Sequence, residues 1–201
     1  VLGVHPGLLS RLVDERGVAS DDARDLMQAG LDVAAEYVRD GRALALKSGR
    51  PHYDTTDAVW DASNAVLKHA LSLGADAGCA VQLHTEASED LTDVAEWAAA
   101  RGLPARKVVK HYAGPTLAGP TPSVMCRTEW LREAAERGEP FLMETDFVDD
   151  PDRPGAVMGP KTVPRRVRML LDEGYDDAVR RAHVETPADV YGIDTEATLT
   201  G

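Results

Sequence analysis

The chain has 201 residues, 43% of them hydrophobic and 28% charged, which is the composition of a globular protein rather than a disordered one. Its net charge of −12 repels phosphate-rich partners, so the chain is not expected to bind nucleic acid through a broad basic face. No apolar run approaches the length of a membrane span, and the length alone predicts one domain over residues 1–201.

Apolar strands alternate with amphipathic helices along the chain. A first strand over residues 1–4 stops at His5-Pro6-Gly7, and Ser20 can cap a helix over 20–41, where apolar residues keep helical spacing. Further strands are predicted at 43–46, 78–83, 107–110, 123–125 and from 141, and further helices at 56–73, 90–101, about 130–137, 162–174, 176–184 and 187–191. This alternation predicts six parallel βα units.

The strands and the residues at their carboxyl ends indicate the architecture. The near-continuous apolar strands predict a sheet covered on both faces, either a barrel or a doubly wound sheet. In a parallel barrel all strand carboxyl ends meet at one face, where active sites are built. The sequence therefore favours an α/β fold of (β/α)8 TIM-barrel type, with an open six-stranded sheet as the alternative. Five potential ligands would then converge: His5, Lys47, His84, His111 and Asp146.

Two histidines and an acidic cluster predict a metal site. A lone histidine after a strand is more often structural than a ligand, but His84 and His111 occupy matching positions in successive units. Asp146 could cap a helix or face solvent, whereas in a metal site it would bind the cation and take a proton from bound water. Glu144 and Asp149 compete with Asp146 for that role.

Four basic residues lie near these strand ends, and three of them have two interpretations each. Lys47 is either an exposed side chain or, if desolvated, a neutral amine that CO₂ converts to a carbamate ligand. His5 is interpreted as a turn residue near the site. His52 and Arg50 could contact an anionic substrate or simply fix their loop.

Other kinds of catalytic site have little support. The chain has no Gly-x-Ser-x-Gly turn, no P-loop and no GxGxxG motif. Cys79 and Cys126 lack CxxC spacing and lie in or beside apolar runs, which favours reduced, buried thiols in a cytoplasmic protein. With 21 Asp, 13 Glu, 17 Arg and 5 Lys, the surface also suits a halophilic cytoplasm, although skewed codon usage gives the same pattern.

Several motifs resemble the TatD-related metal-dependent hydrolases of the amidohydrolase superfamily, in particular an archaeal branch. The resemblance implies a (β/α)8 barrel that holds one or two divalent ions, Zn, Mg or Mn, and hydrolyses its substrate with metal-bound hydroxide. The matching pieces run in order along the chain: Gly3-Val4-His5-Pro6-Gly7, Gly49-Arg50-Pro51-His52-Tyr53, Val81-Gln82-Leu83-His84-Thr85-Glu86, Lys110-His111-Tyr112, Glu144-Thr145-Asp146 and Pro187-Ala188-Asp189-Val190-Tyr191-Gly192.

The resemblance implies a role for each matched residue. His84, His111 and Asp146 would be metal ligands, and Asp146 also the base. Lys47 stands where these proteins carry a glutamate, so it is either a carbamylated substitute or a sign of lost activity. The substrate contacts would be Arg50, His52, Glu86 and Lys110, with His5 and Glu144 beside the site.

The chain departs from the family at its first strand, because it contains no His-x-His pair. The resemblance then implies a barrel that lacks its first two βα units, completed by a missing N-terminal segment or by another copy in a homo-oligomer. The predicted function is hydrolysis of a phosphodiester or amide-type bond in a small molecule or nucleic acid, with no membrane partner and with activity impaired by truncation. The alternative is an inactive barrel remnant that acts as a binding or structural module.

Overall fold

A computed structural model describes residues 1–148 and 158–195. Six strands lie in this part of the chain: β1 (Leu2–Gly3), β2 (Ala45–Gly49), β3 (Ala80–His84), β4 (Val108–Ala113), β5 (Thr121–Met125) and β6 (Leu142–Glu144). The α-helices are α1 (Pro6–Ser10), α2 (Ser20–Arg39), α3 (Asp57–Ala77), α4 (Thr92–Ala99), α5 (Thr128–Arg137), α6 (Thr162–Asp172), α7 (Asp176–Arg180) and α8 (Thr186–Tyr191). Short π-helical turns follow α1 and α7, at Arg11–Glu15 and Arg181–Glu185, and a 3-10 turn at Ala105–Lys107 precedes β4.

The six strands form one sheet in chain order, and every neighbouring pair is parallel. Strands that are consecutive in the chain and adjacent in a parallel sheet are the repeating unit of a TIM barrel. The predicted α/β class and the six parallel strands are therefore confirmed. Of the six predicted βα units only five are complete, because residues 114–120 join β4 to β5 without a helix. Because the strands are parallel, their carboxyl ends lie along a single edge of the sheet.

Apolar side chains cover both faces of the sheet. One core packs α2, α3 and α4 against β2 to β4, and a second packs α5, α6 and α7 against β5 and β6. The third core, here called the inner core, lies on the opposite face near the amino ends of the strands. It contains Ala45, Ala80, Val109, Leu142 and, from α8, Val190, with Tyr191 packed against it.

Local sequence explains both ends of α3 but not the start of α2, where Ser20 is the first helical residue and Ala19 takes the cap position without a side-chain hydrogen bond. The side chain of Thr56 accepts a hydrogen bond from the Val59 amide at the start of α3, and Gly78 ends that helix with a φ of 66°. The predicted helix over 56–73 thus extends to Ala77. The described part of the chain contains no helix long and apolar enough to cross a membrane.

The segment at His5-Pro6-Gly7 differs from the prediction. It begins helix α1 rather than forming only a turn, with Pro6 in the first helical turn and the Nδ1 atom of His5 accepting from the Gly7 amide at 3.1 Å. A proline is favoured there because the first helical N–H groups have no partner within the helix. The second strand also begins two residues later than predicted, because Leu44 is exposed.

Candidate active site

A cavity of about 400 Å³ lies at the carboxyl ends of the strands. Four of the chain's six histidines reach it. Its lining consists of His5, His52, His84, Thr85, Ala87, Lys110, His111, Tyr112 and Asp146. The structure thus brings together His5 after β1, His84 at the end of β3, His111 within β4 and Asp146 after β6, all near the carboxyl edge as the sequence pattern predicts.

His84 is at the centre of the histidine cluster. Its ring centroid is 4.2 Å from that of His5 and 5.6 Å from that of His111, and its Nε2 atom is 3.1 Å from Nδ1 of His52. Burial, reinforced by the neighbouring imidazoles, lowers the pKa of His84 to about 3. Burial also lowers the pKa of His5. Both rings are therefore neutral near pH 7, the form in which an imidazole can bind a metal.

Close approach of two strands fixes the position of His84. Gly49, at the end of β2, pairs with His84, and a Cβ atom at Gly49 would lie 1.8 Å from the His84 carbonyl oxygen. The next residue, Arg50, donates its amide to that same oxygen at 3.0 Å. A glycine is therefore required at this position for the strand ends to meet.

Glu144 connects β6 to the end of β4. One oxygen of its carboxylate accepts from Nδ1 of His111 at 2.7 Å, and the other accepts from the backbone amide of Tyr112. The Nε2 atom of His111 lies 3.5 Å from the Asp146 carboxylate. Tyr112 and Asp146 both have left-handed backbones, with φ of 56° and 47°. Strain of this kind concentrates at functional sites.

Lys47 is half-buried in the middle of β2, two residues before the strand end, and is not among the residues that line the cavity. Its register partner on β3 is Gln82, whose side-chain oxygen is 3.3 Å from the lysine Nζ atom. Burial lowers the pKa of Lys47, and the fields of Glu144 and Asp146 oppose that shift. Burial thus favours the neutral amine of Lys47, whereas the two carboxylates favour its charged form.

Arg50 and Glu86 lie outside the cavity lining. The guanidinium of Arg50, which is 5% exposed, is 2.9 Å from both carboxylate oxygens of Glu86 through Nε and 2.7 Å from Asp93 through Nη1. It also lies over two indole rings, with centroid distances of 5.2 Å to Trp60 and 5.6 Å to Trp97. Arg50 and Glu86 therefore bind each other, and neither lines the cavity.

Lys110 lines the cavity but is only 3% exposed. Its ammonium donates to the backbone carbonyls of Thr85 at 3.1 Å and His111 at 3.0 Å. These bonds tie together the residues that follow β3 and β4. Asp149, the other acidic candidate, lies outside the described residues.

The side chains around the cavity have the donor chemistry of a divalent metal site. Imidazole nitrogens and carboxylate oxygens are ligands for zinc and, in part, manganese. With Nδ1 of His111 donating to Glu144, its Nε2 atom faces Asp146 at 3.5 Å, and a nitrogen lone pair beside a carboxylate is an arrangement that suits a bound cation. Within residues 1–148 and 158–195, however, no three His, Cys, Asp or Glu side chains already converge on one point. The residues fit a metal chemically, and side-chain rotation is needed to close the coordination shell.

A parallel βα sheet with a histidine-rich cavity at its carboxyl edge defines the class, an α/β protein of TIM-barrel type. A sequence model of the TatD related DNase family matches residues 1–191, and the chain belongs to that family. It is 34% identical to an uncharacterized protein of Methanocaldococcus jannaschii, MJ1127, over 98% of this chain and 73% of the relative.

One solved structure superposes well enough to support the fold. A variant of the organophosphorus hydrolase from Deinococcus radiodurans superposes with a TM-score of 0.53 and 14% identity, covering 85% of this chain and 63% of the other. A variant of a PTE-like lactonase from the same organism gives a TM-score of 0.36 and 14% identity, covering 77% of this chain and 44% of the other. The chain thus spans less than two thirds of the length of these two structures.

Proposed function

We propose that this protein is a metal-dependent hydrolase that cleaves a phosphodiester or an amide-type bond. The observation that carries the proposal is that His84, His111 and Asp146 line one cavity at the carboxyl edge of the sheet. Membership of the TatD related DNase family supports hydrolysis in general. The net charge of −12 makes a small substrate more favourable than a long nucleic acid.

The proposed ligands are His84, His111, Asp146 and Lys47. A divalent ion bound there would polarise the scissile group and lower the pKa of a water molecule. Asp146 lines the same cavity and would act there as the proton acceptor. His52 and Lys110 also line the cavity and are the proposed substrate contacts, whereas Arg50 and Glu86 support their loop from behind.

Metal analysis paired with a hydrolysis assay tests the proposal. The purified protein should bind zinc, manganese or magnesium and then cleave a phosphodiester or an amide substrate. The variant His84→Asn should lose both properties. A matched control is His69→Gln, because His69 pairs with Asp32 on the surface away from the cavity. If neither this chain nor a longer one binds a divalent ion, the proposed enzymatic function is refuted.

Lys47 is proposed to become a carbamate. Its lowered pKa increases the fraction of neutral amine, whose nitrogen forms a bond to the carbon of CO₂ and releases a proton. The product carries a carboxylate-like group beside the Glu144 and Asp146 carboxylates, where only a cation makes it favourable. We expect the mass of one added CO₂ on Lys47 when metal and bicarbonate are supplied together. An unmodified Lys47 under those conditions would contradict the idea, and Lys107 provides an internal control.

The alternative proposal is an inactive barrel that serves as a binding or structural module. One observation favours it: in the described part of the chain no three potential ligands already converge. A protein that binds a small anion in the cavity yet neither binds metal nor hydrolyses either substrate would support this second proposal. The halophilic cytoplasm inferred from the acidic composition remains a proposal as well, and retention of folding in molar KCl tests it.

A further inference from the structure

We infer that Glu144 is a positioning residue that fixes the tautomer and the direction of the His111 ring. The Glu144 and His111 side chains are only 16% and 12% exposed, so their 2.7 Å hydrogen bond is largely shielded from water. An ionised carboxylate only accepts hydrogen bonds, and Nδ1 of His111 therefore carries the proton. In the neutral ring this leaves Nε2 as the bare nitrogen, directed at Asp146 and the cavity.

The same carboxylate sets the backbone that carries this ring. Its second oxygen binds the amide of Tyr112, a residue with a φ of 56°. The pairing of β4 with β5 shifts register between Lys110 and Ala113, which is a β-bulge around His111. A bulge re-aims a side chain, and next to an active site it is typically a designed feature. Glu144 thus stabilises the bulge from β6, across the end of β5.

The variant Glu144→Gln tests whether Glu144 determines which nitrogen of the His111 ring carries the proton. The backbone amide of Tyr112 is always a donor, so it binds the single oxygen of the new side chain. The NH₂ group then faces Nδ1 of His111, which must become an acceptor. In Glu144→Gln the ring is therefore expected to carry its proton on Nε2, with that N–H directed at Asp146.

Long-range 1H–15N correlation NMR of the metal-free protein measures which ring nitrogen is protonated. We expect Nδ1–H in the natural sequence and Nε2–H in Glu144→Gln, with unchanged dispersion of the backbone amide spectrum. Glu133→Gln is the matched control, because Glu133 is exposed and accepts a hydrogen bond from Thr116 at a distance from the cavity. An Nε2–H ring in the natural sequence, or an Nδ1–H ring in Glu144→Gln, would overturn the inference. If the variant fails to fold, the measurement on the natural sequence alone decides.

A second readout links Glu144 to metal binding, and this part rests on the proposed function. Loss of an outer partner of a metal-binding histidine costs about 10- to 100-fold in metal affinity. Zinc titration should show that loss for Glu144→Gln and none for Glu133→Gln. If the natural sequence binds no metal but has the Nδ1–H ring, the proposed function fails and the positioning role stands. If metal binds equally tightly to both proteins and the ring keeps its proton on Nδ1, the positioning role fails alone.

Discussion

The two ends of the same strands differ in almost every physical property. At the amino end, Ala45, Ala80, Val109 and Leu142 pack against α8 in an inner core that contains no charged group. At the carboxyl end, the continuation of these strands carries histidines, carboxylates and two left-handed backbones. The amino end thus supplies stability, and this allows the carboxyl end to hold a polar and strained arrangement.

The largest expected effect is on activity at the carboxyl end. Asp146→Asn removes the proposed base, and we expect kcat/KM to fall about 100- to 10,000-fold. Stability should change little, because the Asp146 side chain is 21% exposed and not packed in a core. Steady-state kinetics and thermal unfolding measure the two properties. Asp32→Asn on the surface is the control, and an equal loss of activity there would erase the difference between the regions.

The next effect is on stability at the amino end. Leu142 lies two residues before Glu144 on the same strand and is 8% exposed. Leu142→Ala should lower the free energy of unfolding by about 2–5 kcal/mol, because it leaves a cavity in the inner core. Urea denaturation measures this, and kcat/KM of the folded protein should stay near its original value. Leu44→Ala, at a site 57% exposed, is the control and should change stability far less.

Arg50 sharpens the comparison, because it is a buried charge near the carboxyl end that belongs to neither the cavity nor the inner core. Arg50→Met should lower stability by about 1–3 kcal/mol, since Glu86 and Asp93 lose their partner. KM should remain unchanged if Arg50 only supports its loop. A raised KM with unchanged stability would instead favour the substrate contact predicted from the sequence. Arg24→Met, beside exposed Asp21, is the matched control.

The smallest effect is a pH dependence of stability in the metal-free protein. The pKa of His84 is about 3 in the folded protein against an ordinary value of 6.5, so between these values the unfolded chain binds more protons. Stability therefore falls as the pH drops through this window, by at most about 1.4 kcal/mol per pH unit from His84. Denaturation at pH 7, 6 and 5 measures the slope. His84→Gln should flatten it and His69→Gln should not.

Much of the fold follows from local patterns in the sequence. The alternation of apolar runs with helical spacing predicts the six βα units, because strand and helix periodicities depend on neighbouring residues. The strand-end pattern also predicts that His84, His111 and Asp146 lie in one place, since parallel strands share a carboxyl edge. Capping residues such as Thr56 mark helix starts to within a residue or two.

Contacts between distant segments could not be predicted in this way. The pairing of Glu144 with His111 depends on the register across β5, which no local pattern specifies. The sequence predicts Arg50 as a substrate contact or a residue that fixes its loop, and the choice could not be made because its indole and carboxylate neighbours come from α3, α4 and the loop after β3. The contact of His5 with His84 has one weak signal, a histidine directly after the first strand.

The position of α8 has a consequence for synthesis on the ribosome. The large core of α2, α3, α4 and β2 to β4 consists of residues 9–108, so it can assemble while the rest of the chain is still being translated. The inner core also needs Val190, which is synthesised long after Val109. Until then Ala45, Ala80 and Val109 have no apolar cover from α8, and nascent chains stalled shortly before residue 190 are the ones that chaperones should hold longest.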